Sequence, residues 1–125
     1  LRDFGLAYGR AFQMQDDYLD LLGDPERLGK PVGGDLREGK ATYPVLLLLE
    51  AGVPEARSIL RRHASEPGDV ARMVELVREA GADTRTRERI VQEAEQAIAS
   101  LASFPPSEAA EALRHLAHRE IERAS

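Results

Sequence analysis

The 125-residue sequence contains no cysteine and no tryptophan, and only 5% of its residues are aromatic. Without cysteine the chain has neither disulfides nor thiol chemistry, which is compatible with a reducing cytoplasm, the compartment that we predict. The longest apolar run, Pro44 to Leu49, is far shorter than the roughly 20 residues that a membrane-spanning helix requires. No signal-peptide pattern is visible.

Strand signals are equally scarce, because β-branched residues are few and neither alternating segments nor Asn-Gly turns occur. The net charge is −5, and the basic residues are spread along the chain rather than grouped, which argues against nucleic-acid binding. We therefore predict an all-α protein of about six helices, with 42% apolar residues to form its core.

Apolar spacing, capping residues and helix breakers together define these helices. The first should be apolar around most of its circumference and therefore buried, and the second should lie deep in the core. Asp69 and Ser107 are candidate N-caps, Gly81 is a candidate terminator, and Arg62 should be solvated. The predicted helices begin and end near Asp3 to Leu22, Thr42 to Ala51, Glu55 to His63, Asp69 to Gly81, Asp83 or Thr84 to Pro105, and Ser107 to the C-terminus.

The first helix carries four polar side chains on one stripe. Gln13, Asp16, Asp17 and Asp20 follow the spacing i, i+3, i+4, i+7, which places them on one face at about 100° per residue. If the helix is buried, this stripe faces an internal cavity, where unpaired carboxylates either take up protons or bind a cation. Their hard oxygen atoms suit Mg²⁺ bridged to phosphate. The alternative interpretation is a solvated acidic face.

The segment that follows favours the cation site. Residues 29–44, which we call the lysine loop, contain several glycines and prolines and the two lysines Lys30 and Lys40. A lysine ammonium is a compact positive charge for phosphate oxygens. An acidic stripe and two lysines on a loop close behind it together indicate a magnesium-dependent diphosphate site.

These residues also form two long motifs. Gly9 through Asp20 read Gly-x-x-Phe-Gln-x-x-Asp-Asp-x-x-Asp, and Gly29 through Thr42 read Gly-Lys-x-x-Gly-x-Asp-Leu-x-x-Gly-Lys-x-Thr. Both closely resemble the second aspartate-rich motif and the following signature of the trans-polyprenyl diphosphate synthases. One departure is Tyr43, where that family usually has leucine, and we expect it to alter packing rather than chemistry.

The resemblance implies an isoprenoid-synthase-type helical bundle that uses Mg²⁺ as its cofactor and forms a homodimer. It implies an enzyme of isoprenoid biosynthesis that joins an allylic diphosphate to isopentenyl diphosphate and releases inorganic diphosphate. The sequence begins at Leu1, and the family's first aspartate-rich motif does not occur in it. We therefore expect residues 1–125 to be the C-terminal portion of a single synthase domain, inactive by itself.

The resemblance also implies roles for individual residues. Asp16 and Asp20 would bind Mg²⁺, with Asp17 supporting them through water. Lys30 and Lys40 would contact the allylic diphosphate, and Asp35 would order the loop or pair with a lysine. Gln13 would face the cavity beside the reacting carbons, and Phe12 would form part of its apolar wall.

Other interpretations remain open at this stage. The chain could belong to a non-catalytic, regulatory subunit of a prenyl synthase, or it could be a helical interaction module with an incidental acidic stripe. His115, His118 and Glu122 share a helix face at i, i+3 and i+7 and could be metal ligands, although a polar outer face is the better explanation. The glycines match no Rossmann or Walker pattern, so nucleotide binding is disfavoured.

Overall fold

The computed structural model describes residues 1–124, and all regular elements in that range are helices. Six of them are the predicted helices, and two single-turn helices, α2 and α3, stand where we expected irregular chain. No helix in the described range is long and apolar enough to cross a membrane. The helices are α1 (Arg2–Leu22), α2 (Pro25–Leu28), α3 (Gly34–Arg37), α4 (Tyr43–Glu50), α5 (Pro54–Arg61), α6 (Asp69–Glu79), α7 (Ala82–Ser100) and α8 (Glu108–Ala124).

The chain divides into two compact units, each with its own apolar cluster. The first unit contains Leu1–Gln15 and the chain from Arg87 onward, and the second contains Asp16–Thr86. The assignment of these residues to a single synthase domain stays a prediction.

The core of the second unit lies where α4, α5 and α6 contact one another. Leu48, Ile59 and Met73 are fully buried there, and burying a side chain of this size contributes about 1.5–3 kcal/mol. The prediction that α4 is buried on all sides is wrong in one position, because Leu46 is 42% exposed. A helix with apolar side chains at five consecutive positions presents them in every direction, and α5 and α6 cover only part of its circumference.

The first unit is held together by a smaller apolar cluster. Phe4 is buried, and its ring stacks on that of Tyr8 with centroids 5.7 Å apart, so Tyr8 contributes to packing. Glu93 is also buried, and its carboxylate forms ion pairs with Arg10 and Arg89, each at 2.8 Å. A buried carboxylate without such partners would be strongly destabilising.

Helix ends agree with several of the predicted caps. The Ser107 hydroxyl accepts a hydrogen bond from the Ala110 N–H at 3.1 Å, which confirms Ser107 as the N-cap of α8. Gly81, with φ of 70°, separates α6 from α7 as predicted. The following helix begins at Ala82, immediately after this glycine, rather than at Asp83 or Thr84.

Residues 62–69, which we call the arginine turn, connect α5 to α6 differently from the prediction. Asp69 is the first residue of α6, and Gly68 is its N-cap. The Arg62 guanidinium donates to both carboxylate oxygens of Asp69, at 2.8 and 2.7 Å, and the Glu66 N–H donates to the same carboxylate at 3.0 Å. Arg62 is therefore paired rather than solvated, and its hydrogen bonds lower the pKa of Asp69.

The arginine turn contains an unfavourable stretch of backbone. His63 and Ala64 have φ values of 53° and 50°, so two consecutive residues other than glycine adopt the left-handed conformation. Each such residue costs roughly 1–2 kcal/mol because its Cβ approaches a backbone oxygen. The ion pair between Arg62 and Asp69 closes the same turn and holds this conformation in place.

Candidate functional site

The three aspartates of the acidic stripe lie near the C-terminal end of α1, within the second unit. Asp16 is exposed, whereas Asp17 and Asp20 are partly buried. The prediction of a buried first helix with its acidic stripe in an internal cavity is therefore wrong for Asp16. Leu6 and Phe12 of the same helix are 52% and 43% exposed, so this helix is not buried around its whole circumference.

The lysine loop is fastened to α1 through Asp20. The Gly33 N–H donates to the Asp20 carbonyl at 2.6 Å, and the Asp35 N–H donates to Oδ2 of the Asp20 carboxylate at 3.0 Å. The loop backbone also passes close to this carboxylate, because a Cβ added at Gly34 would lie 3.2 Å from its Oδ1. Asp20 thus satisfies a backbone donor in the first turn of α3, which would otherwise lack a partner.

The same loop brings Lys40 to the acidic stripe. The Lys40 N–H donates to the Asp35 carbonyl at 2.9 Å, and the Lys40 Nζ lies 3.9 Å from Oδ1 of Asp17. The Lys40 side chain is 51% exposed, and an ion pair of this length at the surface contributes little energy. Its ammonium therefore remains accessible to an anionic ligand from solvent.

Negative charge is in excess around Asp35. Its pKa is raised, first by partial burial and next by the neighbouring Asp20, with smaller contributions from Asp17 and Glu38. Lys40 opposes these effects and lowers the pKa. The part of this shift that comes from Asp20, Asp17 and Glu38 reflects repulsion between carboxylates, which an added cation would relieve.

The predicted metal ligands do not form a ready cluster. Within residues 1–124, no three carboxylate or imidazole groups come together in an arrangement that could hold a metal ion. Asp20 accepts the hydrogen bond of the Asp35 N–H, and Asp17 lies 3.9 Å from the Lys40 ammonium. His115, His118 and Glu122 form no such cluster within the described residues, and all three are exposed as a polar outer face.

The aspartates nevertheless suit Mg²⁺ by chemistry. Magnesium prefers oxygen ligands, retains several waters and is usually held by one or two carboxylates together with substrate phosphates. The exposed Asp16 and the second oxygen of Asp20 are donors of this kind, and neither requires a protein-only cage.

The other three predicted site residues, Lys30, Phe12 and Gln13, are all exposed. Lys30 is exposed and follows Gly29, whose φ of 72° ends α2. Phe12 and Gln13 are exposed residues of α1 in the first unit, and the Phe12 ring centroid is 6.1 Å from that of Tyr8. The structure brings together Asp17, Asp20, Asp35 and Lys40.

Sequence reasoning did not predict that the Asp20 side chain would bind the loop backbone. The two partners are separated by 15 positions, and no local pattern links a helix carboxylate to a distant N–H group. The glycine pair Gly33-Gly34 was the available signal, because adjacent glycines allow the backbone to approach a side chain closely.

The structure is an all-helical fold in which a lysine-bearing, glycine-rich loop is fastened to an acidic helix. The family model for polyprenyl synthetase matches residues 1–80 of this sequence. The chain belongs to the polyprenyl synthetase family.

Relatives and solved structures agree with this assignment. The chain is 43% identical to an octaprenyl diphosphate synthase of Escherichia coli K12 over 98% of its own length, and 42% identical to a probable mitochondrial hexaprenyl pyrophosphate synthase of Yarrowia lipolytica over 96%. These matches cover 39% and 26% of the two relatives, so the chain spans between about a quarter and two fifths of their length.

Two solved structures have the same fold over nearly the whole chain. A polyprenyl synthase from Caulobacter crescentus CB15, complexed with calcium and isoprenyl diphosphate, aligns with a TM-score of 0.81 and 42% identity over 99% of this chain and 38% of its own. A geranylgeranyl pyrophosphate synthase from Corynebacterium glutamicum, complexed with isoprenyl diphosphate and magnesium, aligns with a TM-score of 0.78 and 35% identity. The alignment covers 97% of this chain and 36% of that synthase.

Proposed function

We propose that the natural protein carrying this chain is a trans-prenyltransferase that lengthens an isoprenoid diphosphate. The allylic diphosphate would lose its diphosphate group, the resulting carbon would bond to isopentenyl diphosphate, and a proton would then leave the product. The observation that carries the proposal is the loop that presents Lys40 beside the aspartates of α1. Family membership and the ligands bound in the two solved structures support it.

The costly step of such a reaction is the departure of diphosphate, because negative charge grows on its oxygens as the carbon–oxygen bond breaks. Positive groups fixed in advance around the leaving group lower this barrier more effectively than mobile water does. The hydrogen bond from the Lys40 N–H to the Asp35 carbonyl supports this role for Lys40, and Lys30 would act from the start of the same loop.

Asp16, Asp17 and Asp20 would hold Mg²⁺, with Asp16 and Asp20 as ligands and Asp17 acting through water. A bound magnesium ion would supply Lewis-acid stabilisation of the diphosphate oxygens. Within the chain itself, Asp20 has a second task, since its Oδ2 already orders the loop through the Asp35 N–H.

The remaining assignments complete the proposal. Gln13 would face the reacting carbons, Phe12 would help to exclude water from the cation, and Asp35 would order the loop beside the substrate. We further propose that the enzyme is a cytoplasmic homodimer, with isopentenyl diphosphate and an allylic diphosphate as its substrates.

The test is prenyl transfer by the natural protein that carries this chain. It would be given labelled isopentenyl diphosphate and a series of allylic diphosphates, with Mg²⁺ and with excess chelator. We expect chain-lengthened products only when Mg²⁺ is present, and the same assay identifies their length.

A matched pair of variants distinguishes the site from general effects of charge. Asp16→Asn removes a proposed ligand, whereas Asp24→Asn removes an exposed carboxylate that caps α2 and that asparagine can replace. We expect only Asp16→Asn to lose activity. A folded protein that binds diphosphate but forms no product would instead indicate a non-catalytic subunit.

A further inference from the structure

His63, in the arginine turn, reaches across to the lysine loop. Its ring lies so close to the loop backbone that a Cβ added at Gly39 would be 2.6 Å from Nε2 and 2.8 Å from Cε1. Gly39 immediately precedes Lys40, the lysine that lies beside the acidic stripe. His63 is an exposed residue just after the end of α5, and its ring is packed against the loop.

The backbone that delivers this ring is strained. His63 has φ of 53°, a conformation that glycine commonly supplies at this position after a helix. Two bonds place it there, since the His63 N–H donates to the Leu60 carbonyl and the Ala64 N–H to the Ile59 carbonyl, both at 3.0 Å. Non-glycine residues persist in such conformations where the surrounding structure fixes them, as the pair of Arg62 and Asp69 does here.

Gly39 is one of the residues at which the loop backbone can rotate freely, so a neighbouring side chain can restrain it. Its φ is 76°, and a residue without a side chain moves readily between conformations. Two backbone hydrogen bonds connect Gly39 and Lys40 to the base of the loop, from the Gly39 N–H to the Leu36 carbonyl and from the Lys40 N–H to the Asp35 carbonyl, both at 2.9 Å. The His63 ring closes the side of Gly39 on which a Cβ would stand.

We propose that His63 is a positioning residue that holds Gly39 in place and thereby keeps Lys40 oriented toward a bound diphosphate. The ring acts through the backbone and needs no contact with substrate. This inference rests on the proposed function for the identity of the ligand, but its structural part, the restraint on Gly39 and Lys40, does not.

A matched pair of substitutions distinguishes the effect of the His63 ring from the effect of the left-handed backbone conformation. His63→Gly removes the ring and also relieves the left-handed conformation, so the turn should become at least as stable. Ala64→Gly relieves the same strain at the next residue and leaves the ring in place. Both variants would be made in the natural protein that carries this chain, and unfolding temperature would be measured for each.

Two readouts follow the loop. Amide hydrogen exchange at Gly39 and Lys40 reports the restraint directly, and we expect it to become about tenfold faster in His63→Gly. Binding of inorganic diphosphate with Mg²⁺ reports the function, and we expect its affinity to fall by about three- to tenfold, the cost of ordering one additional side chain. In Ala64→Gly, exchange and affinity should match the unsubstituted protein while the unfolding temperature is equal or higher.

Unchanged exchange in His63→Gly would overturn the proposal, and so would faster exchange with unchanged diphosphate affinity. A loss of affinity in Ala64→Gly equal to that in His63→Gly would also overturn it, because the ring would then not be responsible. If the unsubstituted protein binds no diphosphate, the proposed function fails by itself, and the exchange experiment still decides whether His63 restrains the loop.

Discussion

The lysine loop and the arginine turn both reverse the chain within the second unit, and both bring a cationic side chain to a carboxylate. In the turn, Arg62 donates two hydrogen bonds of 2.8 and 2.7 Å to the buried Asp69. In the loop, Lys40 stays 3.9 Å from Asp17 and is half exposed. The tight pair serves structure, whereas the loose pair leaves its cation accessible.

The two segments also achieve their reversals by different means. The lysine loop takes positive φ at Gly29, Gly33 and Gly39, where the absence of a Cβ makes that conformation inexpensive. The arginine turn takes it at His63 and Ala64, where it is costly. The loop is therefore held by its own backbone and by Asp20, and the turn depends on its ion pair.

The largest effect that we expect would come from the lysine loop and the acidic helix. Asp16→Ala or Lys30→Ala in the natural protein should lower turnover by orders of magnitude, because Lys30 would itself stabilise the departing diphosphate and Asp16 would hold the Mg²⁺ that does so. Both side chains are exposed, so helix content and unfolding temperature should not change. Steady-state kinetics and circular dichroism measure the two quantities. Near-normal kinetics in either variant would contradict the proposed site.

The arginine turn should show the opposite pattern. Asp69→Asn removes the short ion pair of Arg62 and leaves it the longer one with Glu66, at 3.8 Å, so the unfolding temperature should fall by several degrees. Well below that temperature, turnover should change by no more than a few-fold. The control is Glu79→Gln on the same helix. Glu79 is 65% exposed, and its ion pair with Arg72 Nη1 is long, at 3.7 Å, so this substitution should leave the unfolding temperature unchanged.

Acid should reveal the same ion pair. The folded-state pKa of Asp69 is lowered below its ordinary value of 3.8, chiefly by the hydrogen bonds from Arg62. Its stabilisation is therefore present above that value and is lost as the pH falls toward the lowered pKa. The fall in unfolding temperature between pH 5 and pH 2 should be smaller in Asp69→Asn than in the unsubstituted protein. Parallel profiles would show that the pair does not carry this dependence.

The smallest expected effect concerns the attachment of the loop to α1. Asp20→Ala removes the acceptor of the Asp35 N–H, whereas asparagine retains an oxygen at a similar position. Amide exchange at Asp35, measured without substrate, should be about tenfold faster in Asp20→Ala and nearly unchanged in Asp20→Asn, as expected for one hydrogen bond. Equal exchange in the two variants would mean that the loop is held elsewhere.

Much of the fold follows from local patterns in the sequence. Apolar periodicity gave the six longer helices, Ser107 and Gly81 marked helix ends, and the two motifs between Gly9 and Thr42 indicated the family. Local patterns failed at α2 and α3, because single-turn helices are too short to show periodicity. Local patterns also failed at Asp69. An acidic residue before an apolar run resembles an N-cap even when its carboxylate is hydrogen-bonded to an arginine.

The sequence by itself determined the helices, the family and the residues on which a diphosphate site would depend, since helix spacing and motif order are local properties of the chain. Tertiary structure decided how those residues are used. In the folded chain, Asp20 is bound to the lysine loop, Arg62 is paired with Asp69, and His63 is packed against Gly39. These partners either lie far apart in sequence or come together only when a turn closes. Such choices depend on which groups burial brings within hydrogen-bonding distance, and no periodicity encodes them.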